Sequence, residues 1–251
     1  MNSKTLHIIG NEFTRKIAHP DEWWEHRIKI YEHYCLASIK NQTNKDFLLM
    51  LKICDYVPDK FQSQLRKLLR ESGLAYIMFN MDQTTTRKAM DRYADEYLYV
   101  YYTRIDSDDM FHKNAIGEIQ QYEFSHRQAL LFQKGYCYDC KNNRLQHYFM
   151  PSPPFSTIMF PMSIYLDENK QNAYTQITSH DTIIYCMDAC TLSENKFIVN
   201  VHGTNRISVY QNDRTVFKGH ENETEIPTAE VDNILKDFGI SSMTYKNKVQ
   251  Q

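Results

Sequence analysis

The chain has 251 residues, 42% of them apolar and 24% charged, enough to bury the core of one large α/β domain or two small ones. Lys and Arg number 29 against 31 Asp and Glu, a net charge of −2, so composition offers no basic excess for binding nucleic acid through its phosphates. Only seven Gly and seven Pro are present, which argues against long disordered linkers.

The first elements alternate. Residues 6–10 (LHIIG) read as a short strand. Residues 20–40 read as a helix, with Trp24, Ile28, Tyr31, Cys35 and Ile39 on one apolar stripe and Pro20, Asp21 and Glu22 in its first turn. The apolar run 47–54 predicts a buried strand. Residues 58–73 predict a second helix on Phe61, Leu65, Leu68 and Leu69, closed by Gly73. A strand over 74–79, a helix or helical turn over 84–96 and a strand over 97–105 follow. This order predicts βαβ units and a mostly parallel sheet flanked by helices, a mixed α/β fold.

Beyond residue 128 the pattern becomes antiparallel. Residues 129–140 and 144–150 suggest strands joined by a turn near Lys141–Asn143, and the PSPPF stretch (151–155) forces an extended path. STIMF, AYTQIT, TIIYCM and KFIVNVHG read as further short strands, and 227–239 as a closing helix on Val231, Ile234, Leu235 and Phe238. The chain is expected to form a single domain over 1–251, with a change of role near residue 128 rather than a linker. Cys137 and Cys140 make one CxxC with no partner pair at zinc spacing, so the six cysteines are expected to be reduced structural thiols. No segment approaches the roughly 20 apolar residues of a membrane span, and the N-terminus carries no signal-peptide stretch. The expectation is a soluble, cytoplasmic protein, with attachment to a membrane surface left open.

The strand ending at Ile105 runs into Asp106, Ser107, Asp108 and Asp109. In open parallel sheets ligands bind beyond the carboxyl ends of the strands. Asp106 and Asp108 share a face of an extended segment, about 6.6–6.8 Å apart, a spacing that suits a hard divalent cation, Mg²⁺ or Mn²⁺, with room for phosphate. Asp109 points elsewhere, toward a supporting or acceptor-side role. Arg104 is placed to pair with a carboxylate or a phosphate. A solvated acidic turn is the competing reading of the same residues. His202, where an apolar run breaks before Gly203 and Asn205, is a candidate metal ligand or phosphate donor, and equally a turn residue. Asp181 is a candidate general base and His180 a substrate contact, unless ITSHDTII is simply a turn between strands.

Several segments resemble the rhamnosyltransferase family, a branch of the GT-A-fold glycosyltransferases. WWEHRIKIYEHYCLASIKNQTNKDF is similar to its N-terminal helix and following Gln-Thr turn, TRIDSDD to its Thr-Arg-hydrophobic-Asp-x-Asp-Asp signature, PPFSTIMF to its Pro-Phe block and VHGTN to its late His-Gly-x-Asn. The segments keep the family's order over about residues 6–210. After the Pro-Phe block the family carries an acidic residue where this chain has Met159 and Phe160, so no carboxylate role is carried over there.

The resemblance implies a GT-A-like transferase using a nucleotide-diphosphate sugar, with residues 1–128 as the nucleotide-sugar-binding half and residues 129–251 as the acceptor-side half. Asp106 and Asp108 would hold the Mn²⁺ or Mg²⁺ that bridges the phosphates, with His202 completing the shell. Asp55, at a strand end, would face the base or ribose, or else cap the strand. Arg15 and Arg27 would face the diphosphate, though Arg27 also reads as a solvated helix residue. Inverting displacement would need a base, with Asp181 and Asp109 as candidates. The acceptor stays open among a glycan, a lipid-linked saccharide, a protein or a modified nucleic-acid base. A metal-dependent nucleotidyl or phosphoryl transferase and a non-catalytic sugar-binding module remain alternatives, the former weakened by the lack of a Gly-rich phosphate loop.

Overall fold

The computed structural model describes residues 4–13, 17–205, 210 and 224–250. Strands β1 (Thr5–Glu12), β2 (Leu48–Ile53), β3 (Tyr76–Asn80) and β4 (Tyr99–Arg104) lie parallel, β1 in the middle between β4 and β2. The main sheet has seven strands in the order β10-β6-β9-β4-β1-β2-β3. Of these, β6 (Gln128–Leu131) and β10 (Asp188–Thr191) are parallel to each other, and β9 (Ser156–Pro161) runs antiparallel between β4 and β6. The runs predicted at 47–54 and 97–105 are the strands β2 and β4, both interior to the sheet, β2 almost wholly buried and β4 half so.

A smaller sheet has the order β5-β11-β7-β8. β7 (Lys134–Asp139) and β8 (Arg144–Phe149) form the expected hairpin, turning through Asn143 at φ 54°. β11 (Phe197–Val201) runs parallel to β7 and antiparallel to β5 (Met110–Phe111). The run 129–140 therefore does not make one strand. It splits, β6 joining the large sheet and β7 the small one.

The predicted helix over 20–40 is continuous but not uniform. It comprises α1 (Asp21–Ile30), a π-helical turn (Tyr31–Leu36) and α2 (Ala37–Lys40). Its predicted stripe is buried against the main sheet, while Ile30 and Tyr34 pack into a second cluster with Tyr136, Tyr138 and Ile198 of the small sheet. The helix is thus wedged between the two sheets. α3 (Asp59–Glu71) ends before Gly73 at φ 73°, as its glycine predicted. The helix expected over 84–96 is broken into α4 (Thr86–Ala89) and a 3₁₀ turn (Asp91–Tyr93). A short α5 (Ala115–Ile119) precedes β6.

Two expected strands are helices. α6 (Met162–Tyr165) is followed by α7 (Glu168–Thr175), which contains the first half of AYTQIT and starts where Asp167 accepts from the backbone N–H groups of Asn169 and Lys170. TIIYCM becomes a 3₁₀ turn (His180–Thr182) and α8 (Ile183–Cys186), opened by a capping box between Ser179 and Thr182. Their alternating apolar residues are too few to outweigh these caps. α9 (Thr228–Asp237) forms as expected, burying Val231 and Leu235 in the small-sheet cluster, but it does not close the chain: a π-helical turn (Tyr245–Val249) follows and adds Tyr245 and Val249 to that cluster.

A string of polar groups crosses the centre of the large sheet. Gln120 donates from Nε2 to His7 Nδ1 at 3.1 Å, and His7 Nε2 meets the Thr103 hydroxyl at 2.7 Å. Thr103 in turn meets Thr157 at 2.6 Å. Donation by Gln120 places the imidazole proton on Nε2. All four side chains are buried, and burial lowers the His7 pKa to about 3. All six cysteines are free, with Cys35, Cys54, Cys137 and Cys140 buried. Among the described residues no helix is long and apolar enough to cross a membrane.

Candidate active site

The strands β1, β2, β3 and β4 end on one edge, at Glu12, Ile53, Asn80 and Arg104. The acidic turn lies there, and it is also the bridge between the two sheets, since β4 precedes it in the large sheet and β5 follows it in the small one. Asn11, at the end of β1, holds the bridge by donating to the Ile105 carbonyl at 2.7 Å. The turn closes on itself through Asp109 N–H to Asp106 O at 3.1 Å.

The three carboxylates part company. Asp108 is the hub. Its Oδ2 lies 2.9 Å from Arg27 Nη1, 3.1 Å from His202 Nε2 and 3.4 Å from Asn205 Nδ2. Burial alone would raise its pKa, but the charge of Arg27 and the hydrogen bonds from His202 and Arg27 outweigh that and hold the carboxyl well below its usual range. Arg27 is not a solvated helix residue. Its side chain is 15% exposed, and its other terminal nitrogen donates to Ser107 Oγ at 2.7 Å. Ser107, fully buried, passes its own proton to the Phe13 carbonyl at 3.2 Å. Burial works against charge on Arg27, yet Asp108, Asp109 and Asp106 together raise its pKa.

Asp106 faces the other way. It pairs with Arg104 at 2.6 Å, the two side chains 45% and 39% exposed. Burial of the carboxyl raises its pKa, the charge of Arg104 offsets part of this, and that of Asp108 adds to it. Asp109 turns inward and accepts from the Asn200 backbone N–H of β11 at 2.9 Å. It is 5% exposed, and burial, Asp108 and Asp106 push its pKa up strongly, toward the neutral acid. A carboxyl so placed ties the small sheet to the turn.

His202 is buried, and desolvation lowers its pKa against the pull of Asp108, favouring the neutral ring. Its Nδ1 lies 2.9 Å from the Thr204 hydroxyl, which can donate or accept. Asn205 locks this corner, accepting from the His202 N–H at 2.7 Å and donating to the Asn200 carbonyl at 2.8 Å. Gly203 has φ +82°, and a Cβ there would run into the Lys141 side chain. Beside it the His26 ring is tilted by 55° to the His202 ring, their centroids 6.0 Å apart, with Nε2 buried and without a hydrogen-bond partner.

The other expected residues lie around this centre. Asp55 follows β2 on the same edge and is exposed, accepting from Asn80 Nδ2 at 2.7 Å and Gln83 Nε2 at 2.8 Å, while its own N–H meets Asp82. Asp181 stands in the 3₁₀ turn before α8, 70% exposed and 3.1 Å from His180 Nδ1. That turn is tied to the PSPPF loop through hydrogen bonds between His180 and Ser152. The PSPPF loop meets the acid turn where Arg104 reaches the Pro154 carbonyl at 3.5 Å, and the charge of His180 is felt at Asp106. Arg15 lies outside the described residues. Met159 and Phe160 are buried core residues of β9. Ser107, Asn80, Gln83 and Lys141 were not singled out from sequence. Only the position of Ser107 inside the acidic run could have drawn attention to it.

Among the described residues no group of three or more His, Cys, Asp or Glu side chains converges as a metal site. Two of the three expected ligands nonetheless lie together. Asp108 Oδ2 and His202 Nε2 are 3.1 Å apart, close to the ~3 Å edge of an octahedron with bonds of about 2.1 Å. In the structure His202 Nε2 donates to the Asp108 carboxylate and leaves Nδ1 to accept from Thr204, so holding a cation on Nε2 would require the proton to move to Nδ1, where the Thr204 hydroxyl would accept it. Asp106 points away from this edge.

The class that the structure defines is a mixed α/β fold, a mostly parallel sheet flanked by helices with an acidic turn at its carboxyl edge. The chain belongs to the family described as "Putative rhamnosyl transferase", which it matches over residues 7–212. No curated protein matches it. Among solved structures it is similar to TarS 1-349 of S. aureus, at 13% identity over 78% of this chain and 60% of that one, with a TM-score of 0.41. The same TarS fragment in complex with UDP gives 14% identity, the same coverage and a TM-score of 0.41. GlyE of Streptococcus pneumoniae TIGR4 matches at 14% identity over 76% of this chain and 46% of that one, with a TM-score of 0.37. A cytidylyltransferase from Leptospira borgpetersenii matches at 9% identity over 78% of both chains, with a TM-score of 0.41. This chain therefore spans about 60% of the TarS fragment.

Proposed function

We propose that the protein is a glycosyltransferase that moves a sugar from a nucleotide-diphosphate donor to a hydroxyl acceptor. The observation that carries the reading is Asp108, seated at the carboxyl edge of the parallel strands between Arg27 at 2.9 Å and His202 at 3.1 Å, in a chain of the family named above. Asp55, with Asn80 and Gln83 around it, suits the nucleoside, since a carboxylate flanked by amides offers both acceptors and donors to a base or ribose. Asp106 and Arg104, the more exposed pair, face the donor beside them.

Asp108 and His202 would hold a divalent ion, Mn²⁺ or Mg²⁺, which when bound stabilises the charge of the leaving diphosphate. The chain's own groups do the rest. Arg27 presents a two-pronged guanidinium to phosphate oxygens. Asp181, the candidate base that keeps access to solvent, takes the proton of the acceptor hydroxyl. The acceptor oxygen bonds to the anomeric carbon as the bond to the diphosphate breaks, and the electron pair leaves with the diphosphate. A single displacement of this kind inverts the anomeric centre. Residues 129–251, which supply Asp181 and the PSPPF loop, form the acceptor side.

The test is a panel of nucleotide-sugars incubated with the protein and Mn²⁺, with released nucleoside diphosphate measured. Slow release that is lost in Asp108→Asn supports the reading. Pyrophosphate released from nucleoside triphosphates, with no diphosphate from any sugar donor, would instead favour a nucleotidyltransferase.

A further inference from the structure

The oxygen of Asp108 that a cation would need is already held by a cation. Arg27 Nη1 lies 2.9 Å from Asp108 Oδ2, the same atom that His202 Nε2 meets at 3.1 Å. The guanidinium is fixed there from both sides: Nη1 by Asp108, Nη2 by Ser107 Oγ at 2.7 Å, and Ser107 in turn by the Phe13 carbonyl. Both members of the pair are mostly withdrawn from solvent, at 15% and 17% exposure, so solvent screens them weakly. A divalent ion on that oxygen would sit within a few ångströms of a full positive charge. The carboxylates of the turn are also occupied as they stand. Arg104 pairs with Asp106, Arg27 pairs with Asp108, and Asp109 turns inward onto the Asn200 N–H. Carboxylates so paired offer little free negative charge to a bare divalent ion, and guanidiniums so paired little free positive charge to a bare diphosphate.

We infer that Arg27 is a resident counter-ion that keeps a divalent ion off Asp108 until a nucleoside diphosphate arrives to receive the guanidinium. The inference rests on the donor-site reading above. Arg27 then exchanges one anion for another: it releases Asp108 to the metal and pairs with phosphate oxygens, so that ion and nucleotide bind together far better than either alone. Because coupling between two ligands is reciprocal, the factor by which the nucleotide tightens the metal is the factor by which the metal tightens the nucleotide. Arg27 acts through Asp108 and through the phosphates and is a positioning residue, so its signature lies in binding.

The measurement is Mn²⁺ affinity, read as the loss of the free-ion electron paramagnetic resonance signal, with and without UDP, GDP or dTDP. In the unaltered protein Mn²⁺ alone binds weakly, and the effective nucleotide tightens it. In Arg27→Met, Mn²⁺ alone binds about tenfold tighter or more, within the 5–150-fold span of ordinary site coupling, and the gain from the nucleotide shrinks. Arg27→Lys keeps the charge and continues to exclude the bare ion, which separates electrostatics from packing. An Arg27→Met protein that binds Mn²⁺ no more tightly than the unaltered chain, or an Arg27→Lys protein that binds it as tightly as Arg27→Met, overturns the inference while nucleotide binding leaves the donor-site reading standing. If no diphosphate binds to any variant and Asp108→Asn changes no Mn²⁺ affinity, the donor-site reading fails and the inference falls with it.

Discussion

Two buried histidines organise two polar networks in this molecule, and they have opposite characters. His7 sits in the middle of the large sheet among a glutamine and two threonines, with no charged side chain in its chain of hydrogen bonds. His202 sits at the sheet's edge against Asp108, which also holds Arg27. The first network satisfies itself and spans β1, β4 and β9. The second brings an acid, a guanidinium and an imidazole onto one oxygen atom at the rim. A buried imidazole surrounded by neutral partners fixes strand register. One that shares a carboxylate with a cation near solvent is poised to trade partners.

The comparison breaks most sharply at Asp108. Asp108→Asn should slow diphosphate release by on the order of 10²–10³-fold, the usual cost of one preorganised charge-stabilising group, measured at saturating donor. It should also destabilise the fold by about 3–5 kcal/mol, because Arg27 is left buried without its partner, measured by urea unfolding. His7→Ala should instead cost about 2–4 kcal/mol of stability and leave turnover per folded molecule unchanged. A loss of turnover there would erase the distinction.

The pH dependence sharpens it further. The folded chain keeps His7 neutral down to about pH 3, whereas an unfolded histidine takes a proton near pH 6.5. Below that pH the unfolded state binds the extra proton, so His7 contributes full stability above about 6.5 and loses about 1.4 kcal/mol per pH unit as pH falls toward 3. Unfolding measured between pH 7 and 4.5 should therefore be less steep in His7→Leu. The smallest effect is expected at Asp106→Asn. Its pair with Arg104 is 39–45% exposed, so stability should move by no more than about 1 kcal/mol, even where donor affinity falls.

Much of this was legible from sequence, and the residues say why. The Asp-Ser-Asp-Asp run stood at the end of an apolar strand, and strand order alone put it on the carboxyl edge. His202 was legible because a polar residue interrupted an apolar run. The pairing of Arg27 was not, because its partners Ser107 and Asp108 lie some 80 residues away and nothing local distinguishes it from a solvated helix arginine. Asp109 was placed correctly in the cluster, but its inward turn depends on β11, whose position between β5 and β7 no local pattern records. The mistaken strands at AYTQIT and TIIYCM came from weighing sparse alternation above the caps at Asp167 and Ser179, which were present in the sequence.

The π-helical turn at Tyr31–Leu36 has a bearing on all of this through phase. A π-turn holds one residue more than the α-helical turn it replaces, and each residue advances a helix by about 100°. The insertion lets the segment before it aim Arg27 at the rim while the segment after it keeps Ile39 in the core. Deleting one residue between Tyr31 and Leu36 would leave a smoother cylinder in which both demands could no longer be met, since either the guanidinium would be turned by about 100° from the acid or the hydrophobic seam would be turned from the sheet.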